Sequence, residues 1–219
     1  MMPGPQEIYV CLNCQQLLKN DSLESGNSFG SISWSDGKFI APMLPDYPIL
    51  TKCPKCKSIL WLDKIELLKE VWFDFEDEDL KKAVAVRFLT LYEYISIIKQ
   101  GLFDNDEDEL FIRQRILWGF HDRVRKNQPK FKLKNDEKIY FENIKRCIEI
   151  LLPQDPEDDQ EKINQNLFLA ELYRLQGVFE LCVMYVHLAG GDEIDWIKKA
   201  FTKECEMNNT EVFQLKGEQ

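Results

Sequence analysis

The chain has 219 residues, 44% of them hydrophobic and 30% charged, with a formal net charge of −10. That is enough to bury a sizeable core in one large domain or two small ones, and no run approaches the roughly 18 apolar residues of a membrane span. The start, "MMPGPQEIYV", has neither the basic opening nor the apolar stretch of a signal peptide. A cytoplasmic protein is the expectation.

The first signal along the chain is the pair of knuckles "YVCLNC" and "TKCPKCKSILWL". Two thiolates three apart can grip one ion from a tight turn, and two such turns supply the four sulfurs of a closed tetrahedral site. Lys52, Lys55 and Lys57 partly offset the charge of such a centre. A redox dithiol would need a βαβ context that is absent here. A catalytic metal would need an open position and usually His or carboxylate ligands, whereas His121 and His187 lie far along the chain in predicted helices. Three further cysteines, Cys147, Cys182 and Cys205, are scattered in helical-looking sequence. An odd count split this way does not describe a secreted disulfide framework.

On these knuckles, residues 7–64 resemble a zinc ribbon of the rubredoxin-like kind. The resemblance implies a small β-domain held by one structural Zn²⁺ on Cys11, Cys14, Cys53 and Cys56. The departure is the gap: residues 15–52 put 38 residues between the pairs, against about 15–20 in compact sites.

That gap holds the insertion "SGNSFGSISWSDGKFIAPMLPDYP", residues 25–48. Asp36-Gly37 is a two-residue type I′ turn signal, which sets Trp34 opposite Phe39 and Ile32 opposite Ala41 on one apolar face. A two-stranded hairpin is marginal alone, so that face should pack on something. Before it, "DSLESGN" is turn-rich, with Gly26 and Asn27 suited to left-handed backbone. After it, Pro42, Pro45 and Pro48 favour an extended, polyproline-like return. The insertion either thickens the β-domain or offers a binding surface, with Trp34, Lys38, Met43, Leu44 and Tyr47 as candidates.

From Asp63 onward the apolar period changes from two to about 3.6. "LTLYEYISIIKQG" opens with the Thr90/Glu93 capping box and closes on Gly101. "DEDELFIRQRILWGFHDRVRKN" carries acids in its first turn and bases in its last, as the helix dipole prefers. "NDEKIYFENIKRCIEILLP", "DQEKINQNLFLAELYRLQ", "FELCVMYVHLAG" and "DEIDWIKKAFTKECEMN" supply four more helices, and "TEVFQL" reads as a short strand. Acidic runs between them are solvated starts and linkers. Asp104, Asp106 and Asp108 mimic a calcium loop, but its sixth position is Glu109 rather than Gly and its twelfth is Arg115 rather than Glu. In "ILWGFHDRVRKN", Trp118, Asp122 and Arg125 share one helix face. They are candidates for a structural anchor, with an ion pair beside the indole, or for a cleft wall.

In "LFLAELYRLQGVFELCVMYVHLAG", Leu169, Ala170, Tyr173, Gly177, Phe179, Cys182 and Ala189 fall where a tetratricopeptide hairpin keeps its signature residues. Residues 166–189 therefore resemble one tetratricopeptide-like pair of helices. Asn166 and Ile194 depart from the pattern, and no second copy lies 34 residues upstream.

The expected architecture is α+β: a zinc ribbon over 1–64 carrying the hairpin, then an all-α bundle over 65–219. The combination resembles uncharacterised bacterial zinc-ribbon proteins. Residues 1–64 hold six Lys and six acids, so the remainder carries the whole −10. Such a chain offers no bulk positive surface to a phosphate backbone. The reading is a non-catalytic protein-interaction module with no catalytic residue. The alternatives are a nucleic-acid- or ribosome-associated ribbon, or an enzyme whose site the sequence does not reveal.

Overall fold

The computed structural model describes residues 1–72 and 76–216, and the protein is mixed α+β, with short strands first and helices after. The strands are β1 (Met2–Pro3), β2 (Gln6–Val10), β3 (Leu17–Asn20), β4 (Leu23–Ser25), β5 (Ile32–Trp34), β6 (Phe39–Ile40), β7 (Leu50–Lys52), β8 (Ile59–Trp61), β9 (Leu67–Val71), β10 (Val84–Ala85) and β11 (Gln214–Leu215). The helices are α1 (Glu78–Lys82), α2 (Leu91–Gln100), α3 (Asp106–Arg125), α4 (Asp136–Leu151), α5 (Asp159–Leu175), α6 (Phe179–Leu188) and α7 (Asp195–Glu206).

The chain divides into two compact units that interleave in sequence. The first is Met1–Ser31 with Ile40–Glu93, and the second is Ile32–Phe39 with Tyr94–Gln219. This partition differs from a break at 64/65 in two ways. "IELLKEV", whose spacing reads as the onset of helix, instead supplies β9, so residues up to 93 join the first unit. Residues 32–39 of the insertion join the helical unit.

In the first unit a four-stranded sheet runs β10-β3-β2-β9. Successive residues of a strand point to opposite faces, and β2 buries both. Ile8 enters a cluster with Val71, Leu80 and Ala83, while Tyr9 enters one with Cys11, Leu18, Cys53, Leu60 and Leu62. The lone turn of α1, which brings Leu80, is started by Asp77, whose carboxylate accepts from the N–H groups of Asp79 and Leu80. A bulge between Ile8 and Tyr9 interrupts the β2–β9 pairing.

Two local expectations for the insertion are corrected. Gly26 and Asn27 are not left-handed; Gly26 is needed because a Cβ there would overlap the Met43 carbonyl oxygen. The proline-rich return is not extended throughout, because Leu44 N–H donates to the Ala41 carbonyl and closes a turn.

The six long helices, α2 to α7, stand close to where the sequence puts them. The Thr90/Glu93 box forms reciprocally, Thr90 N–H to Glu93 Oε2 at 2.9 Å and Glu93 N–H to Thr90 Oγ1 at 3.3 Å. Gly101 takes φ +64°, and Leu102 N–H reaches back to Ile97 to end α2. Between α5 and α6, Gly177 takes φ +76°, and Ala170, Cys182 and Val186 are fully buried with Phe201 and Cys205. The tail strand β11 pairs antiparallel with β5, Gln214 opposite Trp34 and Leu215 opposite Ser33.

Cys147, Cys182 and Cys205 are all buried. Burial pushes the Cys147 thiol up to about 12 and Cys182 well above the ordinary thiol range. Both are therefore small inert hydrophobes. Cys182→Ala is expected to cost only ~1 kcal/mol, since it removes a single buried atom. Its denaturation midpoint, together with slow labelling of Cys182 by a thiol reagent in the folded protein, checks this placement.

Candidate functional site

The first candidate is built from two copies of one local structure. Strand β2 runs into Cys11 and β3 runs out. Strand β7 runs into Cys53 and β8 runs out, with Lys52 opposite Ile59. In the first turn Gln15 N–H donates to the Cys11 carbonyl and Cys11 N–H to Gln16. In the second, Lys57 N–H donates to Cys53 and Cys53 N–H to Ser58. The same two bonds at the same spacing need a left-handed residue after the second cysteine, and Gln15 (φ 60°) and Lys57 (φ 67°) provide it without being glycine.

These turns bring the four Sγ atoms of Cys11, Cys14, Cys53 and Cys56 within 4.8 Å of one another. Across the knuckles, Cys11–Cys56 and Cys14–Cys53 are each 3.6 Å apart. A tetrahedral ion with sulfur ligands at about 2.3 Å sets them about 3.8 Å apart, so the donor set fits a metal ion. Cys11 and Cys53 are buried while Cys14 and Cys56 are half-buried. Burial pushes the Cys11 thiol up to about 12. Hydrogen bonds from the Ser58 hydroxyl and backbone draw Cys56 down to about 5. Ser58 also accepts from Asn13 Nδ2 at 3.0 Å, tying one knuckle to the other.

The second candidate lies in the helical unit around residues 34–38. Trp34 N–H donates to Lys38 and Gly37 N–H to Trp34, with Gly37 at φ +75° and Asp36 not left-handed. The connection is therefore a three-residue loop, not the type I′ turn that Asp-Gly suggests. Trp34 faces Lys38, one residue off the expected register, and such a slip moves the second strand to the other face. Phe39 accordingly stays 50% exposed and does not share a packed face with Trp34.

Asp36 is fully buried. Its carboxylate accepts from His121 Nδ1 at 2.8 Å, from Arg125 Nη2 at 2.5 Å and from Lys38 N–H at 3.2 Å, and its carbonyl accepts from Trp118 Nε1 at 3.0 Å. A carboxylate only accepts, so His121 carries its proton on Nδ1. Burial, and next Glu171, push Tyr140 well above its ordinary range. It thus keeps a proton to offer His121 Nε2, 2.9 Å away. The Asp36 carboxyl is raised by burial, but His121 and Arg125 outweigh this and hold it below the usual carboxylate value.

Next to it Ser35, also buried, donates to Glu171 at 2.7 Å and accepts from Phe213 N–H. Glu171 is gripped by Arg174, which also reaches the Asn209 and Glu211 carbonyls. The Asp122–Arg125 pair forms at 2.9 Å, Lys38 bonds Asp122 at 2.7 Å, and the Arg125 guanidinium lies 4.7 Å over the Trp34 ring. Lys38 stands over Trp118 at 5.6 Å.

Trp34, Lys38, Trp118, Asp122 and Arg125 thus meet in one cluster. Met43, Leu44 and Tyr47 lie in the first unit, part-exposed, with the Tyr47 hydroxyl donating to Ser22. Sequence reasoning missed Ser35, Asp36, Tyr140, Glu171 and Arg174 as members. The available signal was Trp118, His121 and Arg125 on one helical stripe, three donors in need of an acceptor. Among the described residues no helix is long and apolar enough to cross a membrane. No family model, curated protein or solved structure matches the chain.

Proposed function

We propose that this is a non-catalytic protein-interaction module in which one structural zinc ion, held by Cys11, Cys14, Cys53 and Cys56 of a ribbon-like pair of hairpins, fixes a surface for a protein partner. The observation that carries the reading is the convergence of four sulfurs from two like turns, which fills every position of a tetrahedral ion and leaves none for substrate. The spacing of the pairs and the strand on either side of each knuckle support the ribbon. Full burial of Ala170 and Cys182, with left-handed Gly177 between their helices, supports the tetratricopeptide-like character of residues 166–189.

The surface proposed is Met43, Leu44 and Tyr47. Leu44 is 36% exposed, and the turn from Ala41 limits its freedom before binding, which reduces the entropy lost on association. The test pairs a composition with a comparison. Purified protein is expected to hold about one zinc per chain, bound by thiolates. A Leu44→Asp/Tyr47→Ser variant is expected to keep its zinc and its denaturation midpoint while losing a protein that the unaltered chain captures. Absence of zinc, or identical capture by both, refutes the proposal.

A further inference from the structure

Helix α6 is apolar around nearly its whole circumference, with Glu180 its only acid and His187 its only base. Such a helix is ordinarily enclosed on every side. Here one side packs on α5 and α7, where Cys182 and Val186 are fully buried with Ala170, Phe201 and Cys205. The opposite side is open, with Met184 42% and Leu188 58% exposed.

Spacing sets the pattern of that open side. Leu181, Met184 and Leu188 lie at i, i+3 and i+7, while Glu180 lies four residues before Met184 and His187 three after it, so all five share one stripe. Glu180, in the first turn, and His187, in the last, are both exposed and stand about 10 Å apart along the axis with Met184 between them. An acid at one end, a base at the other and an apolar middle make a stripe that complements its own reverse.

The surroundings of His187 add to that complement. It lines a surface hollow with Thr202 and with Lys198, Lys199, Lys203, Asp195 and Glu206 of α7. Lys198 is taken by Asp195 at 2.9 Å, whereas among the described residues no ion pair engages Lys199, Lys203 or Glu180. On a chain of net charge −10, this hollow holds three lysines against two acids. Repulsion between two such chains is screened beyond about 8 Å at physiological salt, which leaves the charges at the stripe to decide whether copies meet there.

We propose that two copies of the chain associate through α6, antiparallel about a two-fold axis beside Met184. Leu181, Met184 and Leu188 of each copy pack on those of the other, and Glu180 of each enters the hollow beside the other's His187. A two-fold contact repeats every pairing, and antiparallel placement sets the positive N-terminal end of each helix beside the negative C-terminal end of the other. A contact of one 10-residue helix falls below the roughly 800 Å² per partner of a standard interface, so the dimer is a weak one. The inference does not depend on the zinc site or on the Met43–Tyr47 surface.

The test is sedimentation of the full-length protein at physiological salt. Unaltered protein is expected to pass from monomer to dimer between about 1 and 300 µM, and Met184→Glu to stay monomeric. Glu180→Lys and His187→Glu each set like charges together at two places at once and should each weaken association about tenfold. The double variant Glu180→Lys/His187→Glu restores opposite charges across the axis and should recover it to within about threefold. Recovery of that kind is a result that damage to the fold would not give. A monomer throughout overturns the proposal, and so does association that Met184→Glu leaves intact, because the contact would then lie elsewhere. A double variant no tighter than the singles overturns the antiparallel pairing. All three positions are exposed, so the helical circular dichroism should not change, and the concentration series on the unaltered protein stands whatever the variants do.

Discussion

Asp36→Ala is expected to destabilise the helical unit by about 3–5 kcal/mol, the cost of breaking a buried charge pair by removing one partner. Three donors lose their acceptor at once: the Arg125 guanidinium, His121 Nδ1 and the Lys38 N–H. The Arg125 guanidinium, whose Nε is already without a partner, keeps only Asp122, and His121 Nδ1 keeps nothing from the turn. Asp36→Asn preserves the shape and can still accept, so its loss should be smaller. The measurement is urea denaturation followed by helical circular dichroism. The pH dependence has a definite sign. The folded carboxyl lies below its unfolded value, so its stabilisation is complete above the unfolded value of about 3.9 and is lost as pH falls through the folded one. The gap between unaltered protein and Asp36→Ala should therefore be flat from neutral pH to about 5 and close below about 4. A gap that widens in acid would mean the carboxylate does not receive these donors.

The second large effect is expected at the cysteine cluster. Cys53→Ser removes a fully buried ligand that also belongs to the core beside Tyr9, Leu18 and Leu60. Structural zinc contributes an apparent ~10–16 kcal/mol in small domains, more than the net stability of about 5–15 kcal/mol of a typical protein. On the proposed zinc reading the variant should lose its metal and leave the strands of the first unit open to proteases, while the far-UV signal of α3 to α7 largely remains. Acid should do the same to the unaltered chain, because thiolates must lose the metal as they take up protons. Retention of protease resistance in metal-free Cys53→Ser would show that the first unit stands on its apolar contacts alone.

The two sites differ in how far sequence reveals them. The cysteine cluster is legible because its chemistry is written at a fixed local spacing and each knuckle is bounded by strand-forming residues. The long helices are legible for the same reason: Thr90 with Glu93, the acidic first turn of α3, and Gly101 and Gly177 at φ > 0 are local signals. The buried turn is not. Asp36-Gly37 satisfies a hairpin rule by itself, and nothing within ten residues of it indicates that His121, Arg125 and Trp118 will need its oxygens. Strand β9 escapes for the opposite reason. "IELLKEV" has a helical spacing, yet pairing with β2 decides its state while Leu67 and Leu68 stay exposed.

The order of synthesis gives the turn at residues 34–38 a further meaning. Asp36 is made 85 residues before His121, and Ser35 178 residues before Phe213. At about 5–20 residues per second the turn waits roughly 4–17 s for α3 and 9–36 s for β11. The Ser35 hydroxyl in turn lacks its acceptor until Glu171 of α5 is made. The flanks at Ser31 and Ile40, by contrast, belong to a unit whose last residue, Glu93, is made before α3 is begun. A nascent chain can thus hold the turn by both ends while the helices that will enclose it are still being made, so the helices close around an early-made segment rather than capture a free one. Release of those ends, as by withholding the proposed zinc during translation, should slow the burial of Asp36.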